Sequence, residues 1–154
     1  QAKRHLFAPG GEKKFVSSAT SRSIFTFKVW HILPIICYDL RFPVWCRNVS
    51  NEYDLIIAVA NWPRPRREVF RTLLRARAME NLSYVIGVNR VGEDPNRLVY
   101  SGDSVIIDPR GKALVEAEEG ADTVITATLD YAPLQDLRQK FPVWADADPF
   151  LLQI

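Results

Sequence analysis

The chain contains short apolar runs, bounded by polar or turn-forming residues, whose lengths are those of β-strands. Residues 32–36 and 55–60 are continuous apolar runs, which are typical of strands covered on both faces. Residues 123–129 instead alternate apolar with polar side chains, as a half-exposed strand does. Because proline removes a ladder hydrogen bond, Pro34 indicates a strand edge or an irregular pairing. The predicted strands are residues 24–30, 32–37, 54–60, 84–88, 104–107, 112–117 and 123–129.

Two segments have the character of helices. Apolar residues recur at three- and four-residue intervals over residues 66–82, and prolines at positions 63 and 65 suit a helix start just before them. Residues 131–140 predict a short closing helix, and the sequence Asp-Pro-Arg-Gly at 108–111 predicts the turn of a hairpin. Strands that alternate with a helix early and form hairpins late predict a layered α/β fold with a mixed sheet.

The composition is that of an ordinary globular chain. Of its 154 residues, 47% are hydrophobic and 25% are charged, which suffices for one domain with a core. The longest apolar runs fall far short of the roughly 20 residues needed to cross a bilayer, so we expect no membrane association. The net charge is +2 and basic residues are dense only at residues 64–67, so we do not expect nucleic-acid binding.

The two cysteines, Cys37 and Cys46, indicate neither a disulfide framework nor a zinc site. Two free thiols suit a reducing cytosol better than secretion, so we expect a cytoplasmic protein. We expect Cys46 to be a non-catalytic thiol. His5 and His31 have no acidic partner at informative spacing, and we expect neither to have a chemical role.

Cys37 has the most informative position in the chain, because it closes an apolar run and precedes a turn. The C-terminal end of a buried strand in an open α/β sheet borders the crevice where ligands bind. A thiol in that position is suited to nucleophilic attack. The alternative is that Cys37 packs as a small buried hydrophobic residue, and its position alone does not decide between the two.

Residues 37–45 (CYDLRFPVW) resemble the nucleophile segment of the nitrilase superfamily of carbon–nitrogen hydrolases. Residues 3–7 (KRHLF) are similar to the segment that carries the family's active-site lysine. Within the superfamily the set is most similar to the bacterial omega-amidase-like branch, whose members hydrolyse the terminal amide of 2-oxo acids such as 2-oxoglutaramate. Further matching segments are ANWP (60–63), RARAMEN (75–81), YSGDS (100–104), DPRG (108–111) and KFPVW (140–144).

The resemblance implies a layered αββα sandwich with mixed sheets. The family's general-base glutamate lies N-terminal to the lysine segment, with which this chain begins. We therefore expect residues 1–154 to be a single carbon–nitrogen hydrolase domain without its N-terminal portion, and a poor catalyst alone. Members of the family commonly dimerise through helices near the nucleophile, so we expect a homodimer in which the helix at residues 66–82 lies at the interface.

The resemblance also implies roles for four residues. Cys37 is the expected nucleophile, and Lys3 and the backbone N–H of Tyr38 are expected to stabilise the oxyanion. Glu12, nine residues after Lys3, matches an acidic residue expected to hold the lysine or to assist the base. The alternative for Glu12 is an ordinary loop glutamate.

Three more residues are candidates for contact with the substrate. Asn61 and Trp62 follow a predicted core strand and are expected to border the pocket, although a tryptophan there also commonly packs in a core. Arg41 has the chemistry to bind a substrate carboxylate through two hydrogen bonds. A structural ion pair, in a turn tied to Asp39 and facing the acidic end of the predicted helix, is the interpretation of Arg41 that we favour.

The expected reaction is hydrolysis of a small carboxamide to an acid and ammonia, through a thioester on Cys37 and with no metal or organic cofactor. One alternative is an acyltransferase of the same superfamily, which passes the acyl group to an amine instead of water. The other alternative is a non-catalytic family member or binding module that lacks the general base.

Overall fold

A computed structural model describes residues 1–151 of the chain. Within those residues, no helix is both long enough and apolar enough to span a membrane. The α-helices are Pro43–Cys46 (α1), Arg67–Asn81 (α2) and Tyr131–Lys140 (α3). The strands are Phe25–Phe27 (β1), Trp30–Ile36 (β2), Leu55–Ala60 (β3), Tyr84–Asn89 (β4), Val91–Glu93 (β5), Val99–Ser101 (β6), Val105–Ile107 (β7) and Ala113–Glu116 (β8).

The main sheet has six strands in the order β1-β2-β3-β4-β7-β8. Strands β2, β3 and β4 are parallel to one another, and the other neighbours are antiparallel. The parallel pair β3 and β4 is connected through α2, because parallel neighbours need a crossover that returns the chain to the same end of the sheet. Strands β5 and β6 form a separate antiparallel pair. The fold is therefore α/β with a mixed sheet, as the sequence predicts.

One face of the sheet packs against α2. Side chains alternate between the two faces along a strand, so every second residue of β2, β3 and β4 points toward this helix. Gly87 lies in this layer, and a Cβ atom there would collide with the Leu74 side chain, so glycine allows α2 to approach β4 closely. The buried residues of the layer include Leu33, Ile35, Ile56, Ala58, Val85, Phe70, Leu74 and Ala78.

The opposite face of the sheet is covered at one end. There, Leu134 of α3 packs on a row formed by Ile32, Leu55 and Tyr84. The two following rows, which lie toward the C-terminal ends of β2, β3 and β4, are half-buried or exposed. We call these two rows the open apolar face; they consist of Pro34, Ile57 and Ile86, and of Ile36, Val59 and Val88.

A buried ion pair anchors α3. The Arg138 guanidinium lies 2.6 Å from the Asp54 carboxylate, and both side chains are almost fully buried. Arg138 also donates to the backbone carbonyls of Tyr53, at 2.8 Å, and Leu82, at 3.0 Å. These bonds satisfy the guanidinium and fix α3 to the segments that precede β3 and β4.

The predicted strand at residues 123–129 is wrong. Its alternation persists in the structure, since Ile125, Ala127 and Leu129 are half-buried while the residues between them are exposed. A strand, however, also requires a neighbour for its backbone hydrogen bonds. No strand within residues 1–151 pairs with this segment.

The start of the sheet also differs from the prediction. The predicted strand at residues 24–30 is interrupted at Lys28, which has a φ of 55°, and the chain turns there from β1 into β2. β2 ends at Ile36, one residue before the predicted end at residue 37. β1 pairs with β2 only as far as Ile32, which leaves Pro34 at a free edge and confirms the prediction for this proline.

Candidate active site

Cys37 is the first residue of a 3₁₀ turn, residues Cys37–Arg41, that follows β2 directly. Its φ of 48° lies in the left-handed region, which is uncommon for a residue other than glycine and costs conformational energy. This sharp turn leaves the half-buried thiol at the C-terminal edge of the parallel strands. The Cys37 Sγ atom donates a weak hydrogen bond of 3.9 Å to the carbonyl oxygen of Asn61, the residue that follows β3.

Arg77 of α2 holds the turn that carries Cys37 through hydrogen bonds. This buried guanidinium donates two hydrogen bonds, of 3.1 and 2.7 Å, to the carbonyl oxygen of Leu40, and a third to Glu80 at 2.9 Å. We call Cys37–Arg41 the nucleophile turn, after the role expected of Cys37. It is therefore hydrogen-bonded to α2, the helix that packs on one face of the sheet. Sequence reasoning gave Arg77 no role, although its place among the apolar positions of the predicted helix was a signal of burial.

Lys3 and Glu12 form a close ion pair. The Lys3 ammonium lies 2.7 Å from each Glu12 carboxylate oxygen, and Glu12 also accepts a 2.7 Å hydrogen bond from the Phe7 N–H. Partial burial would raise the pKa of Glu12, but the hydrogen bonds from Lys3 and Phe7 outweigh it and lower that pKa below its usual value. Of the two interpretations of Glu12, contact with the lysine is the one observed.

Asp39 joins the lysine segment to the nucleophile turn. Its fully buried carboxylate accepts backbone N–H bonds from Ile36 at 3.2 Å, Arg4 at 3.4 Å and His5 at 2.8 Å. The His5 ring nitrogen Nδ1 lies 2.9 Å from the same carboxylate. The expectation that His5 lacks an acidic partner is therefore wrong, because its partner lies 34 positions away in the sequence.

The same correction applies to His31. Its Nδ1 atom lies 3.4 Å from Asp54, and its backbone N–H donates to that carboxylate at 2.9 Å. His31 stands at the start of β2, at the opposite end of the strand from Cys37. Its contact with Asp54 is consistent with the structural role expected for it.

Trp62 and Arg41 lie against each other next to the nucleophile turn. Trp62 is 4% exposed, belongs to the core layer under the sheet, and donates its indole N–H to the carbonyl of Arg66 at 2.8 Å. The Arg41 guanidinium lies 5.1 Å from the centre of the Trp62 ring. Among residues 1–151, no carboxylate lies within ion-pair distance of Arg41, so the structural ion pair favoured for it does not form; Asp39 contacts His5 instead.

The loop after β3 is held by Asn89, which sequence reasoning missed. The Asn89 side chain accepts from the Trp62 N–H at 2.8 Å and donates to the carbonyls of Trp62, at 2.9 Å, and Gly102, at 2.8 Å. The exposed Asn61 side chain contacts the Tyr100 hydroxyl at 3.4 Å. Asn89 is the last residue of β4 and lies next to the end of β3. A polar amide at the end of a buried strand was the signal in the sequence that could have pointed to this role.

The hydroxyl of Tyr100 is a hydrogen-bond donor at the edge of the site. It donates to the Asp94 carboxylate at 3.1 Å. Burial, reinforced by the hydrogen bond to Asp94, raises the pKa of Tyr100, so its hydroxyl stays protonated at neutral pH.

Cys46 is chemically different from Cys37. It is fully buried, and burial raises the pKa of the Cys46 thiol to about 12. A thiol that stays protonated at neutral pH is a poor nucleophile. Within residues 1–151, no group of three or more histidine, cysteine or acidic side chains is arranged to hold a metal ion.

A half-buried thiol on a sharp strand-to-turn junction, with a lysine–glutamate pair on a segment hydrogen-bonded to that turn, has the thiol and the cation that the class of thiol-dependent acyl-transfer enzymes uses. The particular family follows from comparison with known proteins. The chain belongs to the carbon–nitrogen hydrolase family, whose model matches residues 1–139.

Curated relatives include omega-amidases. The protein named omega-amidase YafV of Escherichia coli (strain K12) is 49% identical over 150 residues, which cover 97% of this chain and 58% of that protein. The 2-oxoglutaramate amidase of Bacillus subtilis (strain 168) is 34% identical over 147 residues, which cover 94% of this chain and 55% of that protein. The chain thus spans little more than half the length of these relatives.

Solved structures show the same fold. XC1258 from Xanthomonas campestris, a CN-hydrolase superfamily protein with an arsenic adduct in its active site, matches with a TM-score of 0.94 and 45% identity, over 98% of this chain and 59% of that one. A mutant amidase from Nesterenkonia sp. AN1, with the acetamide moiety of fluoroacetamide on its active-site cysteine, matches with a TM-score of 0.68 and 27% identity, over 77% of this chain and 46% of that one. The fold is that of the nitrilase superfamily.

Proposed function

We propose that the protein containing this chain hydrolyses a small linear carboxamide to a carboxylic acid and ammonia, as an omega-amidase does, through a thioester on Cys37. The observation that carries the proposal is the left-handed backbone of Cys37 at the end of β2, on a turn to which the Lys3 segment is hydrogen-bonded. The proposal is also supported by the 49% identity to a protein named as an omega-amidase.

In the proposed mechanism, a general base takes the thiol proton and the Cys37 sulfur attacks the amide carbonyl carbon. Lys3 and the backbone N–H of Tyr38 stabilise the oxyanion, because the first N–H groups of a helical turn have no partner within it. The C–N bond then breaks, and the proton held by the base passes to the nitrogen, which leaves as ammonia. Water then gives a proton to the base as its oxygen adds to the thioester carbonyl carbon, the C–S bond breaks, the proton returns from the base to the Cys37 sulfur, and the carboxylic acid is released.

In this proposal Glu12 is a partner of Lys3. With both oxygens on the ammonium, it fixes the direction of the Lys3 side chain. The base is then a separate glutamate, which the family resemblance assigns to a position N-terminal to the lysine segment, and a protein limited to residues 1–154 has reduced activity without it. These residues accordingly form one carbon–nitrogen hydrolase domain together with that N-terminal portion.

We propose a 2-oxo acid carrying a terminal amide as the substrate. Such a molecule has a carboxylate at the end opposite to the amide, and Arg41 is a half-buried guanidinium without a carboxylate partner among the described residues. Guanidinium groups bind carboxylates through two parallel hydrogen bonds. Asn61, whose carbonyl oxygen lies next to Cys37, is a further proposed substrate contact, and the buried Trp62 ring acts by supporting Arg41.

The proposed setting is a homodimer in the cytosol that uses no metal or organic cofactor. Both cysteines are free thiols, which suits a reducing compartment. A surface groove of about 550 Å³ runs along α2, the helix proposed for the dimer interface. Its lining includes Arg71, Arg75 and Met79.

The test mixes the purified full-length protein with 2-oxoglutaramate and measures both ammonia release and intact mass. We expect ammonia release and, in rapidly quenched samples, an acyl adduct; Cys37→Ala abolishes both, whereas Cys46→Ala is a matched control that keeps them. Ammonia release that survives Cys37→Ala contradicts the proposal. Release of the acyl group only to an added amine, with no free acid formed when the amine is left out, indicates an acyltransferase, and the absence of both an adduct and ammonia indicates a non-catalytic protein.

A further inference from the structure

We infer that His5 and Asp39 form a positioning pair that sets the location of the Lys3 ammonium relative to the Cys37 thiol. The inference rests on the proposed function, because it concerns the two groups that carry the proposed reaction. Neither residue is expected to touch the substrate. Their effect is transmitted through the backbone on either side of them.

The buried carboxylate of Asp39 has every acceptor position filled. An ionised carboxylate has about four such positions, and burying it is costly unless they are occupied. In Asp39, Oδ1 accepts from the backbone and ring of His5, and Oδ2 accepts from the N–H groups of Arg4 and Ile36. These donors alone satisfy the carboxylate, since no lysine or arginine among the described residues pairs with it.

The backbone donors to Asp39 flank the two reacting groups. Arg4 follows Lys3 directly, and Ile36 precedes Cys37 directly, and their N–H groups share one carboxylate oxygen. Among residues 1–151, every hydrogen bond between residues 3–7 and the nucleophile turn ends on Asp39. A single carboxylate therefore accepts all the hydrogen bonds between the lysine segment and this turn, where the Phe7 ring also packs edge-on against Tyr38 at 5.1 Å between ring centres.

The His5 ring is held in place by two aromatic neighbours. It stacks on Phe42 at 3.6 Å between ring centres with an angle of 6°, and the ring centre of Trp45, nearly perpendicular to it, lies 5.9 Å away. The stacked ring directs Nδ1 toward Asp39, and His5 thereby holds the carboxylate in the orientation that serves Arg4 and Ile36. The His5 side chain is 25% exposed, so its replacement leaves no large hole in the core.

The Lys3 side chain is fixed separately. Glu12 accepts the ammonium with both oxygens and also holds the Phe7 N–H, so that pair sets the direction of the lysine within its own segment. Asp39 sets where that segment lies relative to the turn. Loss of the His5 contact should therefore move the ammonium as a unit with Glu12, without breaking the ion pair.

The test compares three variants of the full-length protein with the wild type. In His5→Phe the ring still stacks but has no N–H, and we expect kcat to fall about tenfold at unchanged KM, because small misplacements of catalytic groups are costly. His5→Asn is the conservative variant, since its amide N–H stands near the position of Nδ1, and we expect it to retain kcat within about threefold. His31→Phe is the matched control, because His31 also pairs with a buried carboxylate but lies six residues from Cys37 along β2, roughly 20 Å away.

A kcat for His5→Phe within twofold of wild type, or an equal loss in His5→Asn or His31→Phe, overturns the inference. Thermal unfolding of each variant separates positioning from general destabilisation: we expect the midpoints of the two phenylalanine variants to shift by similar amounts. If the loss of kcat across the three variants is proportional to the loss of unfolding midpoint, the positioning inference is also overturned.

A second readout does not require amide hydrolysis. Asp39 also holds the N–H of Ile36, the residue before Cys37, so loss of the His5 contact should change the rate of Cys37 alkylation by iodoacetamide several-fold in His5→Phe and not in His31→Phe. Intact mass follows the adduct, and Cys37→Ala identifies its site. If the wild type shows no amidase activity, the proposed function fails, while this alkylation rate still decides the positioning inference. Equal rates of Cys37 alkylation in His5→Phe and His31→Phe overturn the positioning inference.

Discussion

At the scale of single residues, the lysine–glutamate pair has an electrostatic consequence for stability. The pKa of Glu12 is lowered in the folded state relative to the ordinary value of 4.5. A carboxylate of this kind stabilises the folded state at pH values above its unfolded pKa. The stabilisation is lost as the pH falls through the lower, folded-state value.

We predict that Glu12→Gln is less stable than the wild type at pH 7, and that the difference disappears as the pH falls below 4.5 and through the folded-state pKa. Urea unfolding at a series of pH values measures the difference. Glu118→Gln is the control, because Glu118 is exposed and has no ion pair among the described residues. A difference for Glu12→Gln that stays constant down to pH 3 would show that the contact is not electrostatic.

The candidate catalytic residues could be predicted from the sequence, but the residues that contact their segments could not. Cys37, Lys3 and Glu12 lie in recognisable local motifs, and the structure shows Lys3 against Glu12. Asp39 and His5 are 34 positions apart, so no local pattern connects them. Their pairing is decided by the tertiary fold.

At the scale of secondary-structure elements, α3 shows how a marginal helix is held. It has ten residues, too few for a stable isolated helix, and one face of it carries Leu134 and Arg138 into the protein. The Arg138–Asp54 pair is almost fully buried, whereas the Lys140–Asp136 pair on the same helix is exposed. The two pairs therefore differ in what their removal costs.

We predict that Arg138→Met lowers the free energy of unfolding by about 3 to 5 kcal/mol, because it leaves the buried Asp54 carboxylate without its partner. Lys140→Met, the matched change in the exposed pair, should cost less than about 0.5 kcal/mol. Urea unfolding of the full-length protein at pH 7 compares them. Similar losses for the two variants would mean that water reaches Asp54.

Elements whose hydrogen bonds are internal, or whose partner is close in sequence, were predictable. The predicted bounds of α3 are those observed, and the hairpin of β7 and β8 forms at the predicted turn. The strand predicted at residues 123–129 was not found, because its formation depends on a neighbour that amino-acid alternation does not reveal. The pair β5 and β6 was missed because each strand has only three residues.

At the scale of the whole molecule, the open apolar face is a contiguous apolar surface of the sheet that α3 leaves uncovered. Isolated exposed valines are ordinary, but a contiguous apolar surface on a sheet marks a region that another element covers. In the αββα sandwich implied by the family resemblance, a second sheet packs against the first. The chain spans 58% of the length of the relative with 49% identity, so that relative contains further residues beyond the matched part.

We predict that a protein limited to residues 1–154 binds the dye ANS through the open apolar face, and that the full-length protein does not. Replacing Val59 and Val88 together by lysine should lower the dye fluorescence of the short protein at least twofold. Val29→Lys is the control, because Val29 is 56% exposed but lies at the turn between β1 and β2. Equal dye binding by the short and full-length proteins would show that this face stays uncovered.

The Asp39 contacts also bear on how freely this protein can diverge in sequence. Two of the groups that Asp39 binds are the backbone N–H groups of Arg4 and Ile36, which every amino acid except proline supplies. The side chains at positions 4 and 36 can therefore change without loss of these bonds, whereas position 39 has to keep a short carboxylate. Selection acting on the geometry of the site therefore falls on the Asp39 carboxylate and the His5 ring and spares the two backbone donors. The side chains of Arg4 and Ile36 can change in evolution while the arrangement of the two segments is kept.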